Sequence, residues 1–349
     1  MNNLLVIDGS ALLSIIFYAS ISDVNKQIKD VDQLDYVIDQ YFRTGHGHYT
    51  ENVGSFVSMV LSLKNQVQAS HLAVCFDKSS ETTLRKQKYP FYKANRQKRP
   101  KAIKDQMLVL HCLLNNVGIK TFWADKFEAD DLAGSLITKF KSEFDNVYFY
   151  TKDRDWFQLL DKNVKGIIPM KSEDEADGFR CYYCDVPENN PLIRNGAKVY
   201  GKNLCVTEEI CKDLFGVYPE QVVDFKALAG DKSDNIPGVK GIGNETAKGL
   251  LECFGTAESA IQSALNTDEE TFKCATKTYV KRNPYKMLVN GYMAAKDSKE
   301  LATIKTDIPI SFVASHLAYN LNLEILTQAI EIYNLESDLD WVVKPSITY

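Results

Sequence analysis

The segment Leu4-Leu5-Val6-Ile7-Asp8-Gly9-Ser10 is an unbroken apolar run closed by an acid, a glycine and a candidate helix N-cap. A run of that kind reads as a strand buried on both faces. Ala11 to Tyr18 continue as an apolar helix. The same order recurs along the chain. His71-Leu72-Ala73-Val74-Cys75-Phe76-Asp77 is a second buried strand ending in Asp. Asn146-Val147-Tyr148-Phe149-Tyr150 is a third, followed by Thr151-Lys152-Asp153-Arg154-Asp155. Between them, Val53 to Val67 and Ile103 to Leu114 carry helical spacing, and Ile119 to Phe122 reads as a short strand. Strands alternating with helices over residues 1–170 predict an α/β fold, a mostly parallel sheet flanked by helices. Asp8 alone reads equally as a turn residue. An acid at the C-terminal end of such a strand also lies where these sheets place ligands.

Phe127-Glu128-Ala129-Asp130-Asp131-Leu132-Ala133 opens another helix, with carboxylates at 128, 130 and 131. An acidic first turn suits the helix dipole and accounts for one or two of them. It does not account for the acids at the strand ends, Asp8, Asp77, Asp153 and Asp155, or for Asp231 and Asp234 further on. One cleft can collect all of these. Carboxylates without paired histidines favour Mg²⁺ or Mn²⁺ over zinc. This many acids suits two ions, about 4 Å apart, clamping one phosphodiester. Water is then the nucleophile, since no Ser-His or Cys-His arrangement is apparent.

The 349 residues are 45% hydrophobic and 25% charged, ordinary for one large domain or two smaller ones. The net charge of −5 argues against a nucleic-acid partner only if its distribution is ignored. From Arg85 to Lys104 the bases Arg85, Lys86, Lys88, Lys93, Arg96, Lys98, Arg99, Lys101 and Lys104 run without an acid, interleaved with Tyr89, Phe91 and Tyr92. Solvated faces normally mix signs. One-sign charge with aromatics suits a phosphate backbone and stacked bases. Pro90 and Pro100 bracket the segment, which reads as a loop that orders when loaded. No apolar run is long enough to span a membrane, and the N-terminus has no signal-like pattern, so a cytoplasmic location is the default expectation.

Residues 20–52 are polar and weakly patterned, and read as a flexible loop in which His46 and His48 lack a third metal ligand. The eight cysteines form no compact disulfide framework. Residues 171–205 break the pattern and contain Cys181-Tyr-Tyr-Cys184. With Cys205 and Cys211 at irregular spacing, a β-rich surface insertion is preferred there to structural zinc. Val206 to Phe215 reads as a helix capped by Thr207. Phe225 to Ala247 follows, with glycines at 238, 241 and 243 permitting tight turns between two helices. Backbone amides there can hold a phosphate.

Taken together, these segments resemble the 5′-nuclease family, which includes flap endonucleases, phage 5′-exonucleases and the N-terminal nuclease domain of bacterial DNA polymerase I. The likeness rests on Val6-Ile7-Asp8-Gly9, on Phe76-Asp77 with Tyr92-Lys93-Ala94-Asn95-Arg96, on Glu128-Ala129-Asp130-Asp131 with Thr151-Lys152-Asp153-Arg154-Asp155, on Gly230-Asp231-Lys232-Ser233-Asp234-Asn235-Ile236-Pro237-Gly238-Val239-Lys240-Gly241-Ile242-Gly243, and on Ser298 to Asp307. It implies a PIN-like nuclease core over 1–170 with a helical arch near 85–104, an insertion at 171–205, a helix–three-turn–helix DNA-binding region within 206–310 and a helical extension over 311–349. By the same resemblance Asp8, Asp77, Glu128 and Asp130 form one metal site. Asp130 is shared with a second, completed by Asp131, Asp153, Asp155, Asp231 and Asp234. Lys93 and Arg96 contact the scissile phosphate from the arch, where Arg99 also binds DNA. Gly238, Lys240, Gly241 and Gly243 grip the duplex, where the family often holds a K⁺ ion.

The implied activity is Mg²⁺-dependent hydrolysis at 5′ ends and 5′ flaps, in replication or repair, by a monomer. RNA–DNA hybrids such as primers stay open as substrates. Two other readings stand beside it. A non-catalytic junction-binding protein on the same fold is disfavoured by the full set of acids. A PIN-type ribonuclease fits the first four acids but not Asp231 to Gly243.

Overall fold

The computed structural model describes residues 2–23, 28, 30–42, 44–45, 47–79, 81–170, 198–200, 202–335, 339 and 341–342. His46, Cys181 and Cys184 lie outside them. In chain order the strands are β1 (Asn3–Asp8), β2 (Thr44–Gly45), β3 (His48–Tyr49), β4 (His71–Cys75), β5 (Lys120–Phe122), β6 (Asn146–Tyr150), β7 (Val164–Pro169), β8 (Lys198–Tyr200) and β9 (Asn203–Val206). The main sheet runs β5-β4-β1-β6-β7-β9-β8. β5, β4, β1, β6 and β7 are parallel, and β9 returns antiparallel to β7 and β8.

Alternation along β1 explains the layering. Leu4 and Val6 enter a core beneath the helix Ala129–Phe140 and the helical C-terminal half. Leu5 and Ile7 enter the opposite core, under the helices Gly9–Ser20, Val53–Gln66 and Lys101–Asn116. With both faces covered, every residue of β1 is buried. Trp156 and Phe157 lie in a 3-10 helix over Arg154–Leu159.

The stretch read as a flexible loop carries structure. Val31–Tyr41 is a helix, capped by Asp30, whose carboxylate accepts the Gln33 N–H at 3.0 Å. Its apolar stripe is short: Leu34 and Ile38, one turn apart, are its buried residues. That stripe is too narrow to stand out in a polar sequence. β2 and β3 pair as a hairpin after it. His48 Nδ1 sits 2.6 Å from Asp105 Oδ1, tying the hairpin to the helix Lys101–Asn116.

In the C-terminal half, the helices Val222–Ala229 and Asn244–Phe254 flank the glycine-containing turns, and Ala257–Asn266, Glu269–Thr276 and Tyr285–Ala302 complete the bundle. Gly238 has φ +62°, and a Cβ there would stand 2.3 Å from the Gly230 nitrogen. Gly243 differs from the expectation: its φ is −100° and its Cβ site is open. After Ala302 the chain returns to the core. The Ile304 N–H reaches Gln158 Oε1, the Lys305 N–H reaches Asp131 Oδ1, and Ala318 bridges to His71. The helix Leu323–Tyr333 packs Leu326 and Ile330 onto the Leu5 face.

Candidate active site

β1 lies between β4 and β6, so the chain leaves it in opposite directions on its two sides. The C-terminal edge at such a switch is an open crevice. Asp8 closes β1 there, Asp77 follows β4, and Asp153 follows β6. Local hydrogen bonds fix each. Asp8 accepts the Ala11 N–H at 2.8 Å and the Thr151 hydroxyl at 2.9 Å. Asp77 accepts the Ala129 N–H at 2.8 Å, which joins β4 to the first turn of the Asp130 helix. Asp130 accepts the Trp156 indole N–H at 2.7 Å. Asp153 caps its 3-10 helix by accepting the Asp155 N–H at 3.0 Å.

Among the described residues, Asp8, Asp130 and Asp153 have no ion-pair partner. Burial and the neighbouring Asp77 push the Asp8 carboxyl up to about 7. Burial and Asp153 push Asp130 well above the usual carboxylate range. Carboxylates crowded in this way, without ion pairs of their own, are the donor set a hard divalent ion fits. As the side chains stand, however, no group of three His, Cys, Asp or Glu among the described residues is arranged to hold an ion.

The other acids hold cations of the protein itself. Lys93 Nζ is 2.8 Å from Glu128 Oε1 and 3.7 Å from Asp234 Oδ2. Arg96 pairs with Asp234, and Arg99 reaches Asp77 at 2.7 Å. Burial would raise the Asp77 carboxyl, but Arg99 and Lys93 outweigh it and hold it at about 2. Buried Lys226 pairs with Asp155 and lies 2.6 Å from Asp231. Burial opposes ionisation of Asp231 as well, yet Lys226 draws it down to about 2.

Asp131 stands apart. Arg85 donates to both its oxygens, at 2.6 and 2.7 Å. The Lys305 N–H donates to Oδ1 at 2.9 Å, and the Glu128 N–H to Oδ2 at 3.2 Å. Its acceptor positions are filled by the protein, and it is 1% exposed.

The basic segment, expected to be a loop awaiting a ligand, is already docked. Leu84–Lys88 is a helix, and Tyr89 and Tyr92 are buried against Ile236, Leu301 and Ala302. Those two tyrosines are therefore unavailable to stack bases, whereas Phe91 is exposed. The Lys93 N–H donates to the Asp234 carbonyl, Asn95 to that of Lys232, and Asn235 to that of Phe91. These bonds join residues 91–95 to the turn that carries Asp231 and Asp234. Beyond it, Lys240, Gly241 and Gly243 lie exposed ahead of the helix Asn244–Phe254, while Gly238 is buried.

Arg85, Lys226 and Trp156 were missed as site residues. Arg85 is indistinguishable within a run of bases. Lys226 carried a signal: it is a lone cation inside the apolar turn Phe225 to Leu228. Cys205 and Cys211, the two residues weighed as completing a structural zinc site, enter cores on opposite faces of the sheet. No helix among the described residues is long and apolar enough to cross a membrane.

The family model for the 5′-3′ exonuclease N-terminal resolvase-like domain matches residues 3–180, and that for the 5′-3′ exonuclease C-terminal SAM fold matches 217–322. A 5′-3′ exonuclease of Halalkalibacterium halodurans is 32% identical over 93% of this chain and 89% of its own length. DNA polymerase I of Caldicellulosiruptor bescii is 34% identical over 75% of this chain, but the match spans only 26% of that longer protein. In fold, the chain is similar to phage T5 5′-exonuclease with bound divalent zinc ions (TM-score 0.59, 20% identity, 95% of this chain and 99% of that one). It is equally similar to phage T5 flap endonuclease with DNA and metal ions (TM-score 0.58, 19% identity, 97% and 96%). Matched in order by both family models, and by a relative over nearly its whole length, this chain belongs to the 5′-3′ exonuclease family, which includes flap endonucleases.

Proposed function

We propose that this protein is a structure-specific 5′-nuclease that hydrolyses DNA phosphodiesters at 5′ ends and 5′ flaps with two Mg²⁺ (or Mn²⁺) ions, in primer or flap removal. The observation that carries this reading is the convergence of Asp8, Asp130 and Asp153, which have no ion-pair partner among the described residues, at the switch point of the sheet. Asp8, Asp77, Glu128 and Asp130 would hold one ion; Asp130, Asp153, Asp155, Asp231 and Asp234 would hold the other. Bound ions would supply a water of lowered pKa and neutralise charge on the leaving oxygen.

The chain's own residues do the rest. Thr151 and the Ala11 amide hold Asp8, and Trp156 holds Asp130, so these carboxylates keep their orientation. Lys93, Arg96 and Arg99 serve as counter-ions until a phosphate competes for them. Asp131 is assigned a different role from its neighbours: it anchors Arg85 and so fixes the base of the arch. The exposed turn at Lys240 to Gly243 presents amides and a cation to the duplex backbone, with K⁺ as its proposed ion.

One observation favours a second reading, a junction-binding protein without catalysis: most of the acids already hold cations of the protein. A duplex with a 5′-labelled flap and a separately 3′-labelled strand distinguishes the two. The nuclease reading expects release of the flap near the junction, leaving a 5′-phosphate on the downstream strand. Tight flap binding without cleavage, in Mg²⁺ and in Mn²⁺, supports the second reading instead.

A further inference from the structure

Between Glu270 and Asp297 the chain carries no acid, although Asp and Glu make up 46 of its 349 residues. The bases there are Lys273, Lys277, Lys281, Arg282, Lys286 and Lys296. This stretch spans most of the helix Glu269–Thr276, a loop, and the first two-thirds of the helix Tyr285–Ala302. Lys273 and Lys286 meet Glu270 at 3.9 Å and Glu269 at 3.4 Å, in exposed pairs that contribute little. Lys277, Lys281 and Arg282 are exposed and have no ion-pair partner among the described residues. A solvated face normally mixes signs, and this one does not. Lys277 suits the C-terminal end of its own helix. Lys281 and Arg282 gain nothing from the next helix, which begins at Tyr285 without an acid in its first turn and whose dipole opposes bases at that end.

Glycine contacts place these bases beside the turn at Lys240 to Gly243. A Cβ on Gly249 would collide with the Tyr279 carbonyl, so the loop lies directly against the helix Asn244–Phe254. Lys277, Lys281 and Arg282 are all within three residues of Tyr279. Gly249 is only about 7.5 Å along that helix from its start at Asn244. From the other side, Met287 Sδ stands 3.2 Å from the Cβ site of Gly241, and Val239 packs on Gly291 one helical turn further on. The helix Tyr285–Ala302 therefore runs alongside the turn, with its basic end nearest Gly241. Lys240, Lys277, Lys281 and Arg282 are exposed around one helix start.

We infer that Lys277, Lys281 and Arg282 form a second clamp on duplex DNA, taking backbone phosphates beyond those gripped at Lys240 to Gly243. The partner is a double strand because the patch continues a turn whose exposed amides and lysine suit a duplex backbone, and positioning contacts of that kind are made by such side chains. The inference rests on the proposed duplex grip of that turn and not on catalysis. Its consequence is a longer duplex footprint than the turn alone would give.

The test uses the full-length protein in EDTA with a fluorescein-labelled blunt duplex of twenty base pairs, followed by anisotropy over a series of KCl concentrations. Two lost phosphate contacts should make the log–log salt slope of Lys281→Gln/Arg282→Gln shallower than that of wild type by about 1.8. Its affinity in low salt should fall roughly tenfold, and its Tm should not move, since both side chains are exposed. Lys281→Arg should keep the wild-type slope. A control of equal charge change outside the helical half, Lys120→Gln/Lys162→Gln, should keep both slope and affinity. A wild-type slope in the double variant, an equal loss in the control, or an equal loss on a twenty-nucleotide single strand overturns the clamp. Flap cleavage by wild type alongside any of those results leaves the nuclease reading standing without it. Duplex binding that depends on Lys281 and Arg282, with no cleavage of any substrate by wild type in Mg²⁺, supports the clamp and removes the nuclease reading.

Discussion

Arg85 grips Asp131 through two parallel hydrogen bonds, 2.6 and 2.7 Å long, in a site where Arg85 is 9% and Asp131 1% exposed. Arg85 also donates to the Thr303 carbonyl, and Asp131 accepts the Lys305 N–H. The pair thus joins the base of the basic segment, the first turn of the Asp130 helix and the strap that follows the last helix of the bundle. A bidentate pair of this kind fixes geometry as well as charge.

Breaking either half leaves a buried charge unpaired. Arg85→Met and Asp131→Asn are each expected to lower unfolding free energy by about 3–5 kcal/mol, measured by urea denaturation. Asp131→Asn should still bind Mn²⁺ in calorimetry with near wild-type affinity. A loss of stoichiometry in that titration would return Asp131 to the set of direct ligands.

In the proposed site Lys93, 2.8 Å from Glu128 Oε1, would compete with a divalent ion for that carboxylate. Removing it as Lys93→Met is expected to tighten Mn²⁺ binding in the absence of DNA by roughly tenfold, equivalent to about 1.4 kcal/mol. The same variant should cleave flaps some 10²–10³-fold more slowly, since a cation directed at the phosphate is gone. Weaker metal binding in Lys93→Met would show that the lysine supports the site rather than competing with it.

Lys226 is the counter-ion of Asp155 and Asp231. Lys226→Met should destabilise the metal-free protein by about 3–5 kcal/mol. Added Mn²⁺ should then raise Tm more in the variant than in wild type, because an ion binding only the folded state stabilises it by mass action. Equal shifts in the two proteins would argue that no ion reaches these acids.

The turn glycines are expected to differ. Gly238→Ala forces a Cβ to within 2.3 Å of backbone at positive φ, and should weaken duplex binding and lower Tm. Gly243→Ala meets open space and should leave the folding free energy within about 0.5 kcal/mol of wild type. Equal effects would place the strain elsewhere.

The parallel sheet was legible because β1, β4 and β6 are buried on both faces and so carry unbroken apolar runs. Asp8, Asp77 and Asp153 were legible because each follows one of those runs, and Glu128, Asp130 and Asp131 because they open a helix, whereas Asp231 and Asp234 lie in a turn between helices. Pairing was not. Whether Arg85 meets solvent or Asp131 depends on residues 303 to 305, which fold back more than 200 positions later. The docking of Tyr89 and Tyr92 depends likewise on Leu301 and Ala302. The helix Val31–Tyr41 escaped because its buried stripe rests on Leu34 and Ile38.

The most direct measurement is single-turnover cleavage of a labelled 5′-flap duplex by wild type and by Asp153→Ala, in Mg²⁺ and in EDTA. The account predicts cleavage at the flap junction by wild type in Mg²⁺ alone, and a loss of several orders of magnitude in Asp153→Ala with flap binding retained. Cleavage that persists in EDTA, or that is indifferent to Asp153, would contradict it.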